Sequence, residues 1–336
     1  MSRVRRVASA AAYGGGGLGL AGVMGAVLLL GQARLARRTI PAAEAPPPRC
    51  DGRYGTEYSG EPVRLAMLGD SSAAGYGVER PRDTPGAVLA SGLAEHLLRP
   101  VHLRSFAVVG ATSAGLVPQR ELALEWGPDL AVILVGANDV THRVRTSVAV
   151  RDLAETVRLL RAAGAAVVVG TCPDLGTIRP IQPPLRWLAR QWSRDMAFAQ
   201  TVAVVEAGGC TVSLGDLLGP EFAASPETMF AADRFHPSAA GYRAAATAML
   251  ATVITAAGGP SETGPVPVPG DGVRSLAEAA IEAADQAGTE VSGAEVAGQE
   301  RGPAGRWADL RHRSHAGVER PRDPVDPAGV EGGVMT

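Results

Sequence analysis

The chain has 336 residues, 46% hydrophobic but only 4% aromatic, with 32 basic against 34 acidic side chains and a net charge of −2. This near balance excludes a general nucleic-acid binder, whose basic residues gather on one face. Every basic residue is arginine, which excludes chemistry that needs a lysine amine: a Walker P-loop, a Schiff base or a Ser–Lys dyad.

From Val7 to Ala33 no residue carries a formal charge, and arginines flank both ends (Arg3, Arg5, Arg6; Arg34, Arg37, Arg38). About 20 helical residues cross a bilayer, so residues 1–38 are expected to be an uncleaved single-pass membrane anchor. Gly31-Gln32-Ala33 keeps a cleaved secretory signal open as the alternative. Either way the rest of the chain is placed outside the cytoplasm, at the cell membrane or secreted. Residues 39–60 are Pro-rich and polar and are expected to be a stalk.

From residue 61 short apolar runs alternate with helical patterns. The expected strands are 63–69, 101–109, 129–136, 165–171 and 210–214. Between them lie segments such as SVAVRDLAETVRLLRAAG and LRWLARQWSRDMAFAQTVAVVEAG, with apolar residues every three or four positions. Apolar strands alternating with amphipathic helices predict an α/β domain over 61–258, a parallel sheet covered on both faces. Residues 259–336 turn rich in Gly, Pro, Glu and Asp and are expected to be largely disordered, with one marginal helix at 273–287. Three cysteines with no CxxC pair, and no HExxH, do not make a structural zinc site. Cys172 and Cys210 are expected at opposite ends of neighbouring strands, too far apart for a disulfide.

Chemistry-bearing residues recur where strands end. The first strand runs into Gly69-Asp70-Ser71-Ser72, the second into Gly110-Ala111-Thr112-Ser113, and the third into Gly136-Ala137-Asn138-Asp139. Asp233-Arg234-Phe235-His236 stands just before the last helix. The carboxyl ends of strands are where open α/β sheets bind ligands. Together these residues fit acyl transfer by a serine: Ser71 as nucleophile, His236 as general base, and Asp233 orienting the imidazole. The backbone N–H groups of Ser71 and Gly110, with the Asn138 amide, form the expected oxyanion hole. Ser72 is the rival nucleophile. Asp70 and Asp139 are read as structural. His96, His102 and His142 are read as surface residues, and His312 and His315 lie in the tail.

This pattern resembles the SGNH hydrolase family, also called GDSL esterases and lipases, over residues 63–257. Its four letters fall in order on Ser71, Gly110, Asn138 and His236. The asparagine often found upstream of the second-block glycine has no counterpart here, where the strand reads Ser105-Phe106-Ala107-Val108-Val109. The resemblance implies a flavodoxin-like three-layer α/β/α sandwich with five parallel strands in the order 2-1-3-4-5. It also implies ester hydrolysis through an acyl-enzyme, with no metal or organic cofactor. The expected partners are a small-molecule or lipid ester and, through the N-terminal helix, a membrane. An acyltransferase acting on envelope sugars or lipids, and a binding module without activity, are the alternatives. The heptapeptide GVERPRD occurs twice, at 77–83 and 317–323.

Overall fold

The computed structural model describes residues 46–258, residues 24–39 except 26 and 37, and the pair 290–291. The strands are β1 (Gly52–Tyr54), β2 (Val63–Gly69), β3 (Val101–Ser105), β4 (Leu130–Leu134), β5 (Ala166–Gly170), β6 (Cys210–Val212) and β7 (Glu290–Val291). Among the described residues nine helices follow the N-terminal one (residues 24–39): α1 (Ser71–Ala74), α2 (Pro85–Leu97), α3 (Leu116–Trp126), α4 (Ala137–Thr141), α5 (Thr146–Ala162), α6 (Leu185–Glu206), α7 (Leu214–Ala224), α8 (Pro226–Met229) and α9 (Ala239–Ala256), with short single turns between them.

The sheet runs β1-β3-β2-β4-β5-β6-β7. Its five inner strands are parallel, in the order expected from the resemblance. The sheet is mixed rather than wholly parallel, because β1 and β7 pair antiparallel on its two edges. Both additions correct the sequence-based expectation. Part of the segment read as a stalk belongs to the domain: β1 is hydrogen-bonded to β3, Cys50 is 3% exposed, and the Tyr54 hydroxyl donates to the Cys50 carbonyl. A strand of three residues at an edge has too little periodicity to be seen in sequence. Two residues of the tail likewise close the β6 edge. The rest of 259–336, including the expected helix at 273–287, lies outside the described residues.

Central strands read as unbroken apolar runs because both faces are covered. β4 (LAVIL) is buried at every position, and β2 (VRLAMLG) at every position but Arg64. Successive side chains point to opposite faces and divide the core in two. Leu65, Met67, Leu130 and Val132 pack with α2 and α9 through Leu89, Leu93, Met249 and Val253. Ala66, Leu68, Ala131 and Ile133 pack on the other side with α3, α5 and α6 through Leu116, Leu153, Val157 and Val204. The result is a three-layer sandwich.

The strand expected at 101–109 ends at Ser105, although Phe106 N–H and Val108 N–H still donate to β2 at the Met67 and Gly69 carbonyls. Among the described residues no helix is long and apolar enough to cross a membrane. Residues 1–23, 26 and 37 of the expected anchor lie outside the described residues.

Candidate active site

β2 carries its last residue, Gly69, with φ at +132°, and a β-carbon there would overlap the carbonyl oxygen of Leu134 on β4. Only glycine permits both the conformation and the approach. The chain reverses at once into α1, whose first residue is Ser71. Asp70 caps this turn, its Oδ1 accepting from the Ser72 backbone N–H at 2.8 Å. A strand, a forced glycine and an immediate helical turn thus lift the Ser71 hydroxyl to the carboxyl edge of the sheet.

His236 reaches the same point from the other side of the sequence. Its Nε2 lies 3.0 Å from Ser71 Oγ, and its Nδ1 lies 2.6 Å from Asp233 Oδ2. The Asp-x-x-His turn is held by its own carboxylate: Asp233 Oδ1 accepts from the backbone N–H groups of Phe235 and His236. An aspartate bonding the backbone two and three residues on is an Asx-type turn, which explains this spacing. Ser238 then caps α9 by accepting from Ala240 and Gly241 N–H. The rings of Tyr76 and Phe235 meet the imidazole edge-on, with centroids 4.7 and 4.9 Å away. The His236 side chain is 13% exposed and that of Asp233 5%, so the pair is largely withdrawn from water.

Burial pushes the Asp233 carboxyl up, but hydrogen bonds from the His236 ring and from the two backbone N–H groups outweigh it, and the net shift is downward. Asp233 is therefore a carboxylate, able to hold the imidazole by Nδ1–H. Asp70 behaves differently: complete burial raises its carboxyl to about 6, against partial relief from the Ser72 N–H and the neighbouring His236.

The third-strand block repeats the architecture of the first. Gly136 has φ at +133° and opens α4, which carries Asn138 and Asp139. Asn138 Nδ2 donates to the Ala111 carbonyl at 3.0 Å, pinning the loop that follows β3. Asp139 is fully buried and accepts from both the backbone N–H and the hydroxyl of Ser113. It ties two loops together, the structural role read from the sequence. Ser71, Asn138 and His236 line one cleft. Gly110 lies exposed in the loop that Asn138 holds, with φ at +82°.

Ser72 also lines the cleft, but it is Ser71 that the imidazole meets. His96 and His142 are exposed, each with Nδ1 against a carbonyl one turn back, and His102 packs edge-on to Trp126. His312 and His315 lie outside the described residues. The inner wall of the cleft is apolar, formed by Leu134, Leu175, Ile178, Leu214, Leu218 and Phe222, around about 100 Å³ of free space.

Two supporting glutamines escaped the sequence reading. Gln119 on α3 is 1% exposed and grips Gly69 twice, accepting from its N–H at 2.7 Å and donating to its carbonyl at 2.9 Å. Gln200 on α6 is fully buried, accepts from Cys172 N–H and donates to the Val135 carbonyl. Each is a polar residue on an otherwise buried stripe, at 116–119–123 and at 196–200–204. That misfit in the helical pattern was the available signal. Tyr242 is also buried, and its hydroxyl donates to the Tyr76 carbonyl beside His236.

The chain has known relatives. Residues 67–244 match the family model of GDSL-like lipases and acylhydrolases. Over 232 residues the chain is 47% identical to the GDSL-like esterase Rv1075c of Mycobacterium tuberculosis, covering 65% of this chain and 73% of the relative. Among solved structures, the lipase Lip_vut3 from a goat rumen metagenome is 17% identical with a TM-score of 0.48, covering 58% of this chain and 97% of that one. A lipase/acylhydrolase from Enterococcus faecalis is 20% identical with a TM-score of 0.47, covering 56% and 94%. With its family model matched over more than half its length, and with a close relative named as an esterase, the chain belongs to the GDSL-like lipase/acylhydrolase family and is an ester hydrolase of that type.

Proposed function

We propose that the chain cleaves carboxylic esters through an acyl-enzyme formed on Ser71. The observation that carries this reading is the continuous relay Ser71 Oγ–His236 Nε2, His236 Nδ1–Asp233 Oδ2, at 3.0 and 2.6 Å. Ser71 Oγ attacks the ester carbonyl as His236 takes its proton, and Asp233 holds the imidazolium that results. His236 returns that proton to the departing alcohol. Water then repeats the sequence on the acyl-enzyme and releases the acid.

The oxyanion is received by the backbone N–H groups of Ser71 and Gly110 and by the Asn138 amide. Asn138 has two amide hydrogens and one is committed to Ala111, which leaves the other for the substrate. The apolar wall takes the acyl chain. A cavity of about 150 Å³ holds benzene, so about 100 Å³ suits an acyl group of roughly four carbons. The uncharged run 7–33 supports attachment to the cell membrane, with the catalytic domain outside the cytoplasm.

Fluorophosphonate labelling tests the nucleophile. Label on the wild type and on Ser72→Ala, with none on folded Ser71→Ala, is the expected result; label retained on Ser71→Ala would sink the assignment. Turnover of esters of graded acyl length should fall beyond roughly four to six carbons.

A further inference from the structure

The helix at residues 24–39 meets the body on one face only. Leu29, Ala33 and Ala36 pack against the core, and Gln32 clasps the start of α6, donating to the Pro183 carbonyl and accepting from Leu185 N–H. Its remaining apolar side chains are unpartnered: Met24, Val27, Leu28, Leu30 and Leu35 each keep at least half of their surface exposed. Beside the clasp, on the first turn of α6, Trp187 is 65% exposed. A cluster of large apolar groups left in water marks a contact surface.

Charge identifies what covers it. The first 43 residues hold six arginines and no acidic residue, and Arg34, Arg37 and Arg38 follow directly on the exposed apolar turns. An apolar helix face edged by arginine, with a neighbouring tryptophan, suits the boundary between headgroups and acyl chains of an anionic bilayer. A protein partner is less well matched, because the same apolar and uncharged character continues upstream through residues 7–23.

We infer that the outward face of this helix, together with Trp187, is a docking surface for an anionic lipid bilayer. The clasped segment connects it to the site: the loop ending at Pro183–Pro184 also supplies Leu175, Thr177 and Ile178 to the wall of the cleft. Docking therefore holds the cleft against the lipid surface. Resting on the hydrolase reading above, this implies that the ester is a short acyl group carried on a membrane-borne headgroup.

The test uses the full chain and vesicles of phosphatidylglycerol and phosphatidylcholine carrying acyl-chain-brominated lipid. Quenching of tryptophan emission should fall to less than half of the wild-type value in Trp187→Phe; equal quenching in the two would overturn the inference, even if residues upstream keep the protein on the vesicles. The double variant Leu28→Asp/Leu35→Asp should keep its rate on a soluble short-chain ester. It should lose about tenfold on the same acyl group carried by vesicle lipid, and equal rates on vesicles would also overturn the inference. A dimer held by this face, broken by the double variant and indifferent to vesicles, would assign the surface to a second copy instead. Failure of the hydrolase reading is separate: it would appear as wild-type protein that turns over neither ester, whatever the quenching.

Discussion

The ends of β2 and β4 are two copies of one device put to different uses. Each closes on a glycine with φ near +130°, Gly69 and Gly136, and turns straight into a short helix. A buried glutamine grips backbone at each turn, Gln119 at Gly69 and Gln200 at Val135 and Cys172. Each short helix brings a buried aspartate and one side chain proposed for the chemistry. At β2 the aspartate caps its own turn and the proposed nucleophile is Ser71. At β4 the aspartate reaches across to Ser113 and the proposed oxyanion donor is Asn138. The difference is one of tolerance: the first turn sits against backbone, and the second against side chains that can give way.

Substituting the glycines probes that difference most severely. Gly69→Ala drives a β-carbon into the Leu134 carbonyl and adds the strain of a positive φ, so it should cost about 4 kcal/mol or abolish folding. At Gly136 the new β-carbon would meet Gln200 Nε2 at 2.8 Å and Cys172 Cβ at 3.0 Å, and the loss should be visibly smaller. Urea denaturation of the pair decides it, and equal losses would break the comparison.

Asn138→Ala should lower kcat by about 10²- to 10³-fold, as removal of one oxyanion donor does, with the protein still folded. A kcat unchanged in Asn138→Ala, with only KM shifted, would leave Asn138 as a loop pin at Ala111 and remove it from the chemistry.

Asp70 predicts a pH dependence. Its folded carboxyl titrates near 6, above the ordinary value of about 3.9, so between those values the folded state binds more protons than the unfolded one. Stability therefore falls as pH rises from about 4 to about 6, by up to about 3 kcal/mol. Asp70→Asn should flatten that decline, as read from denaturation midpoints across the range; an unchanged slope would place the cost elsewhere. Asp233 acts oppositely, because its lowered carboxyl gives stability that is present above about pH 4 and lost below.

The glutamines give the smallest effect. Gln119→Leu leaves the buried Gly69 N–H without its acceptor, at about 1–3 kcal/mol, and should also lower kcat because the serine turn loosens. Gln200→Leu should cost similar stability with less effect on turnover. Comparing denaturation with kcat for both shows whether the clamp at β2 is tied more closely to the chemistry.

Much of this was legible in advance. The five apolar runs, their helices and the blocks at 69–72, 136–139 and 233–236 are local patterns and stand where the sequence puts them, with the second strand ending four residues early at Ser105. Gly110 is read as an oxyanion donor from its place after the second strand, and it stands in the loop that Asn138 holds at Ala111. The stalk reading of 39–60 and the edge strand at 290–291 concern pairing with distant residues, which local composition does not encode. Gln119 and Gln200 show in the sequence only as polar misfits on buried stripes, and their partners are backbone groups 28–65 positions away.

By itself, then, the sequence determined the five parallel strands, their covering helices and the candidacy of Ser71, Asp233, His236 and Asn138, because strand and helix periods and turn chemistry act over a few residues. Tertiary structure alone decided that Ser71 and His236, 165 positions apart, meet at 3.0 Å. It also decided which glycines are irreplaceable, what braces them, and that the N-terminal helix is clasped at Pro183 and Leu185. Those outcomes depend on close approach between segments remote in the chain, and steric fit at such contacts is a property of the packed molecule.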